Sequence, residues 1–273
     1  MKANAVNGLK VLCTVALAAT LAACGSMESG GSMHSASPAP APKTSAHGGG
    51  DLAAALAAAD RPAEDKARDA DRKPAELMQF FGVKPGMTTV DIIALGGYIT
   101  EVLSVAVGPN GKVYAQNPPI ALQLRDGMYA KAITERLANN RLKNVVRVDA
   151  DLPATAQIPP GSVDVAITAM NYHDVRNQNP ANGPGFLKAV YMMLKPGGVF
   201  GVTDHVGNDG ADNAALHRIP KHFLLEDAKA AGFTIDGESD MLAHAADDHT
   251  KVVFDPTLRG KTDQFVVRLR KPK

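Results

Sequence analysis

The chain predicts an α/β fold, a doubly wound and mostly parallel sheet with helices on both faces. Three observations predict it. Val83–Asn117, VKPGMTTVDIIALGGYITEVLSVAVGPNGKVYAQN, reads as strand, glycine turn, helix and second strand. Strands and helices then alternate to the C-terminus without an internal repeat. The last two strand signals flank a long irregular excursion, Leu242–Thr262, and close as a terminal antiparallel hairpin.

Each element has a local reason. Asp51–Ala59 is Ala-rich and helical, and Arg61-Pro62 ends that run. Ala63–Arg72 interleaves acids and bases as a solvated helix does. Pro74 suits a first helical turn, and Leu77, Phe80 and Phe81 then point to a core. Strand one, Thr89–Ile93, is rich in β-branched residues. Gly96-Gly97 turns the chain into a helix from Tyr98 to Val107, and Gly108-Pro109-Asn110-Gly111 turns it into strand two, Lys112–Gln116. Leu122, Leu124, Met128, Ile133 and Leu137 mark a helix over Ala121–Ala138. Strands follow at Val145–Val148 and Val163–Ala169, then a helix over Pro184–Leu194. Lys195-Pro196-Gly197-Gly198 breaks that helix before strand five, Val199–Asp204. A helix over Lys221–Ala231 stops at Gly232, strand six starts at Phe233–Ile235, and Phe265–Leu269 is the final strand.

The N-terminus reads as an export segment. Lys2 and Lys10 precede an apolar run, Val11–Ala23, that is too short to span a bilayer comfortably. It ends in Leu21-Ala22-Ala23-Cys24, similar to a bacterial lipoprotein signal, which implies cleavage before Cys24 and lipidation of its thiol. An ordinary signal cut near Ala23, with Cys24 a bystander, is the alternative. Gly25 follows with no Asp to resemble an inner-membrane retention signal, so the expected site is the outer membrane, facing the periplasm. Residues 24–50 are Ser, Gly, Pro, Ala and His, a disordered tether spanning on the order of 30 Å. The folded domain is then 51–273.

Composition narrows the function. Cys13 and Cys24 are the only cysteines, so the mature domain has no disulfide and no thiol nucleophile. Losing residues 1–23, with Lys2 and Lys10, takes the net charge from +1 to −1 and leaves 250 residues. There is no basic stripe and aromatic residues are 5%, so no nucleic-acid partner is expected, and the membrane is met through the lipid anchor only. No phosphate loop of the Gx4GK[ST] type and no GxSxG elbow is present, which removes support for NTPase and hydrolase readings.

From Arg61 to Pro272 the chain resembles the class I S-adenosylmethionine-dependent methyltransferases, in particular an exported bacterial group. The segments that carry the resemblance are RDADRKPAELMQFFGVKPG, GGYITEVLS, GKVYAQNPP, NYHD, LKPGGVFGVTDH, LHRIP, AGF and GKTDQFVVRLRKP. It implies a Rossmann-like seven-stranded sheet with an antiparallel last strand, S-adenosylmethionine as cofactor and a small-molecule acceptor. It also implies an acid followed by three alternating glycines after strand one. Here Asp91 stands at the acid position, and Ile93, Leu95 and Gly97 stand at the glycine positions, with Gly96 beside them. Asn117 stands where an acid would meet the ribose, and Asp149 or Asp151 would meet the adenine amine.

Chemistry is expected at the carboxyl ends of strands four and five. Asn171-Tyr172-His173-Asp174 follows one and Asp204-His205 the other, so His173, Asp174, Asp204 and His205 should share one rim, over which His217 and Arg218 could close. A histidine beside carboxylates suits a general base, and His173, Asp174 and His205 are the catalytic candidates. The same set could hold a divalent ion. No local chelating spacing such as HxxxH is present, so a base is preferred and no metal is expected. The loop acids Asp247-Asp248 have Arg259 as their expected partner. A non-catalytic ligand-binding protein on the same fold is the alternative, because the glycine loop is degenerate and the cofactor is expected to be made in the cytoplasm.

Overall fold

A computed structural model describes residues 49–273. The signal, the lipidation at Cys24 and all of the tether but its last two residues lie outside the described residues. The helices are α1 (Gly49–Ala58), α2 (Ala63–Ala67), α3 (Asp69–Arg72), α4 (Pro74–Phe81), α5 (Tyr98–Val107), α6 (Pro119–Leu137), α7 (Tyr172–Gln178), α8 (Asn182–Met193), α9 (Asn213–Leu216) and α10 (Lys221–Ala231). The strands are β1 (Thr88–Ile92), β2 (Lys112–Asn117), β3 (Val145–Asp149), β4 (Val163–Ala169), β5 (Leu194–His205), β6 (Thr234–Ser239) and β7 (Gln264–Arg270).

They form one seven-stranded sheet in the order β3-β2-β1-β4-β5-β7-β6. β7 alone is antiparallel to its neighbours. The strand order reverses between β1 and β4, which pair directly, so the crevice outside their carboxyl ends is the topological switch point. Period-two alternation divides the core between the two faces. Val90, Ile92, Tyr114, Ala166, Phe200 and Val202 pack with α8 and α10. Val113, Val165, Ile167 and Val199 pack with α1, α4 and α5.

Several boundaries differ from the sequence expectation for identifiable reasons. α1 begins at Gly49, inside the predicted tether. Ala63–Arg72 is two short helices meeting at Arg68. The breaker Lys195–Gly198 lies within β5, because Leu194 already pairs with Val163 and a register irregularity absorbs the turn. α6 is interrupted at Leu124–Gly127, where Arg125, Asp126 and Gly127 all have positive φ. That interruption leaves Leu124 and Met128 exposed while Ile133 is buried. α7, unforeseen as a helix, carries the NYHD segment. Asp247 does not meet Arg259: it pairs with Arg218 at 2.9 Å, and both side chains are fully buried. Among the described residues no helix is long and apolar enough to cross a membrane.

Candidate active site

The turn after β1 has left-handed backbone at three alternate positions, two of which are not glycine. Ile93, Leu95 and Gly97 have φ of 57°, 51° and 82°. These are the three alternate positions at which the resemblance requires glycine. A β-branched residue at positive φ is an outlier, so the surroundings must hold it there. They do so with side-chain amides. Gln116 Oε1 accepts from the Ile93 N–H at 3.1 Å. Asn117 Oδ1 accepts from the Leu95 N–H at 2.7 Å, and its Nδ2 reaches the Leu95 carbonyl at 3.4 Å. Asn171 Nδ2 donates to the Ile93 carbonyl at 3.2 Å and so joins the β4 end to the β1 end across the crevice.

The predicted cofactor residues therefore have definite surroundings. Gln116 and Asn117 are completely buried, and Asn117 is turned onto the loop. Gly96 and Gly97 face α6. A Cβ on Gly97 would stand 2.7 Å from Ile133 Cδ1, and Arg136 Nε donates to the Gly96 carbonyl at 2.6 Å. Arg136 also pairs with Glu101 and with Asp65, so a buried ion network backs the turn. Asp91 points to the α5 side of the sheet, where Thr100 Oγ1 donates to it at 2.6 Å. Burial pushes its pKa up to about 7 against the Thr100 hydrogen bonds and the Arg136 charge. Asp149 is exposed and pairs with Arg147 at 2.9 Å, and Asp151 is exposed on the loop after β3.

The four rim residues do converge. Asp204, wholly buried at the end of β5, grips His173 twice: its Oδ2 accepts the His173 backbone N–H at 2.7 Å, and its Oδ1 lies 2.7 Å from Nδ1. The same Oδ1 accepts the His205 N–H at 2.8 Å. This carboxylate fixes the Nδ1–H tautomer and turns Nε2 towards Asp174 and His217. Burial opposes the charged form of His173, but the charge and hydrogen bonds of Asp204 and Asp174 outweigh it and raise the pKa to about 10. Burial pushes His205 down to about 4, and its Nδ1 is buried without a hydrogen-bond partner. His217 stands edge-on to His173, with ring centroids 5.5 Å apart. Arg218, by contrast, does not close over the rim: it is buried and bonds to Asp247, Val206 and Lys251.

Asp204 was readable as a rim acid, yet its position beneath His173 depends on α7, which the sequence did not reveal. Gln116 and Asn171 gave no separate signal, since an amide side chain folded onto its own backbone has no motif. A cavity of about 310 Å³ opens at the opposite, amino-terminal edge of the sheet, lined in part by Lys84, Asp164, Lys195 and Arg270. It is remote from the rim, and the convergence of polar groups identifies the rim as the candidate site.

No family model matches the chain, and no curated protein matches it. Solved structures do. A SAM-dependent methyltransferase from Aquifex aeolicus is 22% identical, with 72% of this chain and 89% of that one covered at a TM-score of 0.53. A protein of Galdieria sulphuraria assigned as a sarcosine dimethylglycine methyltransferase is 17% identical, covering 74% and 85%, at 0.52. The [4+2]-cyclase SpnF is 18% identical, covering 74% and 81%, at 0.55. At such identities the likeness is one of fold, and it spans a cyclase as well as methyltransferases. The chain has the seven-stranded Rossmann-like fold of the SAM-dependent methyltransferases.

Proposed function

We propose that this protein transfers a methyl group from S-adenosylmethionine to a small-molecule acceptor at the switch-point rim. One observation carries the reading. Residues 93, 95 and 97 keep the alternating left-handed backbone of a nucleotide loop, at a cost in strain that a mere turn would not need. That backbone supports the cofactor reading, and the side chains set the terms. Gly96, Gly97 and their loop would meet the cofactor, with Asn117 at the ribose and Asp149 or Asp151 at the adenine. Asp91 acts from behind, through Thr100 of α5. The cofactor supplies the methyl group. His173, oriented by Asp204, is the candidate base or hydrogen-bond donor at the acceptor, with Asp174 and His205 beside it.

Calorimetric titration of purified protein with S-adenosylmethionine and S-adenosylhomocysteine tests this. Saturable binding at one site is expected. Absence of binding to folded protein at millimolar ligand would overturn it in favour of a non-catalytic ligand-binding protein. One feature favours that second reading: Asn117 has both amide atoms engaged on Leu95 and must release them to reach a ribose. We further propose that Cys24 is lipidated and anchors the chain to the outer membrane, facing the periplasm, as supported by Leu21-Ala22-Ala23-Cys24. Acyl labelling that persists in a Cys24→Ser variant would disprove the anchor.

A further inference from the structure

Three rim side chains meet with the spacing of a coordination shell. His173 Nε2 lies 3.3 Å from Asp174 Oδ1, and His217 Nδ1 lies 3.1 Å from the same oxygen. All three donor atoms fall within 4.8 Å of one another. Two donors each held about 2.0–2.2 Å from a tetrahedral ion stand about 3.3–3.6 Å apart. The two separations from Asp174 Oδ1 are close to the edge of such a tetrahedron.

Two independent features support the set. His217 Nδ1 is buried, its nearest acceptor is Asp174 Oδ1 at 3.1 Å, and the pair makes no hydrogen bond of regular geometry. A buried polar nitrogen of this kind calls for a partner that the chain itself does not supply. His173 is already oriented as a ligand: Asp204 holds Nδ1, the arrangement that carboxylates impose on metal-bound histidines, and an ion at Nε2 would displace the proton that nitrogen carries. The position of His217 is fixed in advance as well. Its backbone is left-handed at φ 53°, and its neighbour Arg218 is locked in the core on Asp247.

We propose that His173, Asp174 and His217 bind one divalent first-row transition ion of the zinc type, with a coordination position open to the acceptor. Two imidazoles and one carboxylate form a donor set for such an ion, and local sequence spacing cannot reveal it because the ligands come from α7 and the end of α9. An acceptor oxygen in the open position would lose its proton more readily. The inference rests on the proposed function for its acceptor but gives His173 and Asp174 the role of ligands in place of a base, and it needs no bound cofactor.

The test is cobalt titration of the full chain after dialysis against a chelator, read by visible d–d absorption, with Zn²⁺ as competitor. One Co²⁺ per chain in a tetrahedral or five-coordinate spectrum, displaced by Zn²⁺, is expected. Asp174→Asn and His217→Ala should each weaken binding roughly 100-fold. A double variant, His34→Ala with His47→Ala, should bind as the parent does. The Asp174 side chain is 60% exposed, so its replacement leaves the fold intact, and a urea midpoint checks this for each variant. Absence of d–d absorption at excess Co²⁺, or parent-like binding by Asp174→Asn and His217→Ala, overturns the inference. S-adenosylmethionine calorimetry on stripped and cobalt-loaded protein separates the two readings. Cobalt binding without cofactor binding defeats methyl transfer alone, and the converse defeats the metal site alone.

Discussion

Asp91 stands at the acid position of the loop pattern, yet its carboxyl is held by Thr100 of α5. The alternation of β1 carries its carboxyl to the α5 face, where burial raises its pKa from 3.8 to about 7. Between those values the folded state holds a proton that the unfolded state has lost. Stability is therefore expected to fall as pH rises from 4 to 7, by at most roughly 4 kcal/mol. Asp91→Asn keeps an acceptor for Thr100 and cannot ionise. Its urea midpoints at pH 4, 6 and 8 should show a smaller fall than those of the parent, and parallel losses would mean that Asp91 is ionised throughout. Leu95 is the other telling residue. Its left-handed backbone costs about 1–2 kcal/mol, and it puts a half-buried side chain at a loop position where the resemblance implies glycine. Leu95→Gly should tighten S-adenosylmethionine binding roughly tenfold, equivalent to about 1.4 kcal/mol. An unchanged dissociation constant would acquit the side chain.

At the scale of elements, strands were the most legible. Thr88–Ile92, Val163–Ala169 and Gln264–Arg270 announce themselves by β-branched content, because sheet packing selects it. α7 was not legible: Tyr172–Gln178 is short and polar, and it is held by tertiary bonds to Asp204 and Asp227. The break in α6 has one sequence signal, Gly127 inside an otherwise apolar pattern, and a single glycine is compatible with an unbroken helix. The packing of α4 on β5 supplies a sharp test. A Cβ on Gly201 would lie 2.7 Å from ring carbons of Phe81, which is itself fully buried and has nowhere to move. Gly201→Ala is expected to cost about 1–3 kcal/mol in urea unfolding. A loss under a few tenths would mean that the two layers slide apart easily.

For the whole molecule, the alternating pattern led directly to the doubly wound sheet and its antiparallel hairpin. The rim residues were legible too, since topology brings the ends of β4 and β5 together. What stayed hidden was the set of side-chain amides that holds the loop. Asn171 spans the crevice from the β4 end to the Ile93 carbonyl, and Gln116 and Asn117 occupy the loop amides. Asn171→Ala should therefore bind S-adenosylmethionine more tightly than the parent, although it removes a polar side chain; weaker binding would show that Asn171 touches the ligand instead. These amides also set a threshold. If an open crevice is the rarer form, every factor of ten in its rarity weakens apparent affinity tenfold, at about 1.4 kcal/mol of closed-state preference. A protein built this way stays silent at low ligand supply and responds only when the ligand becomes plentiful.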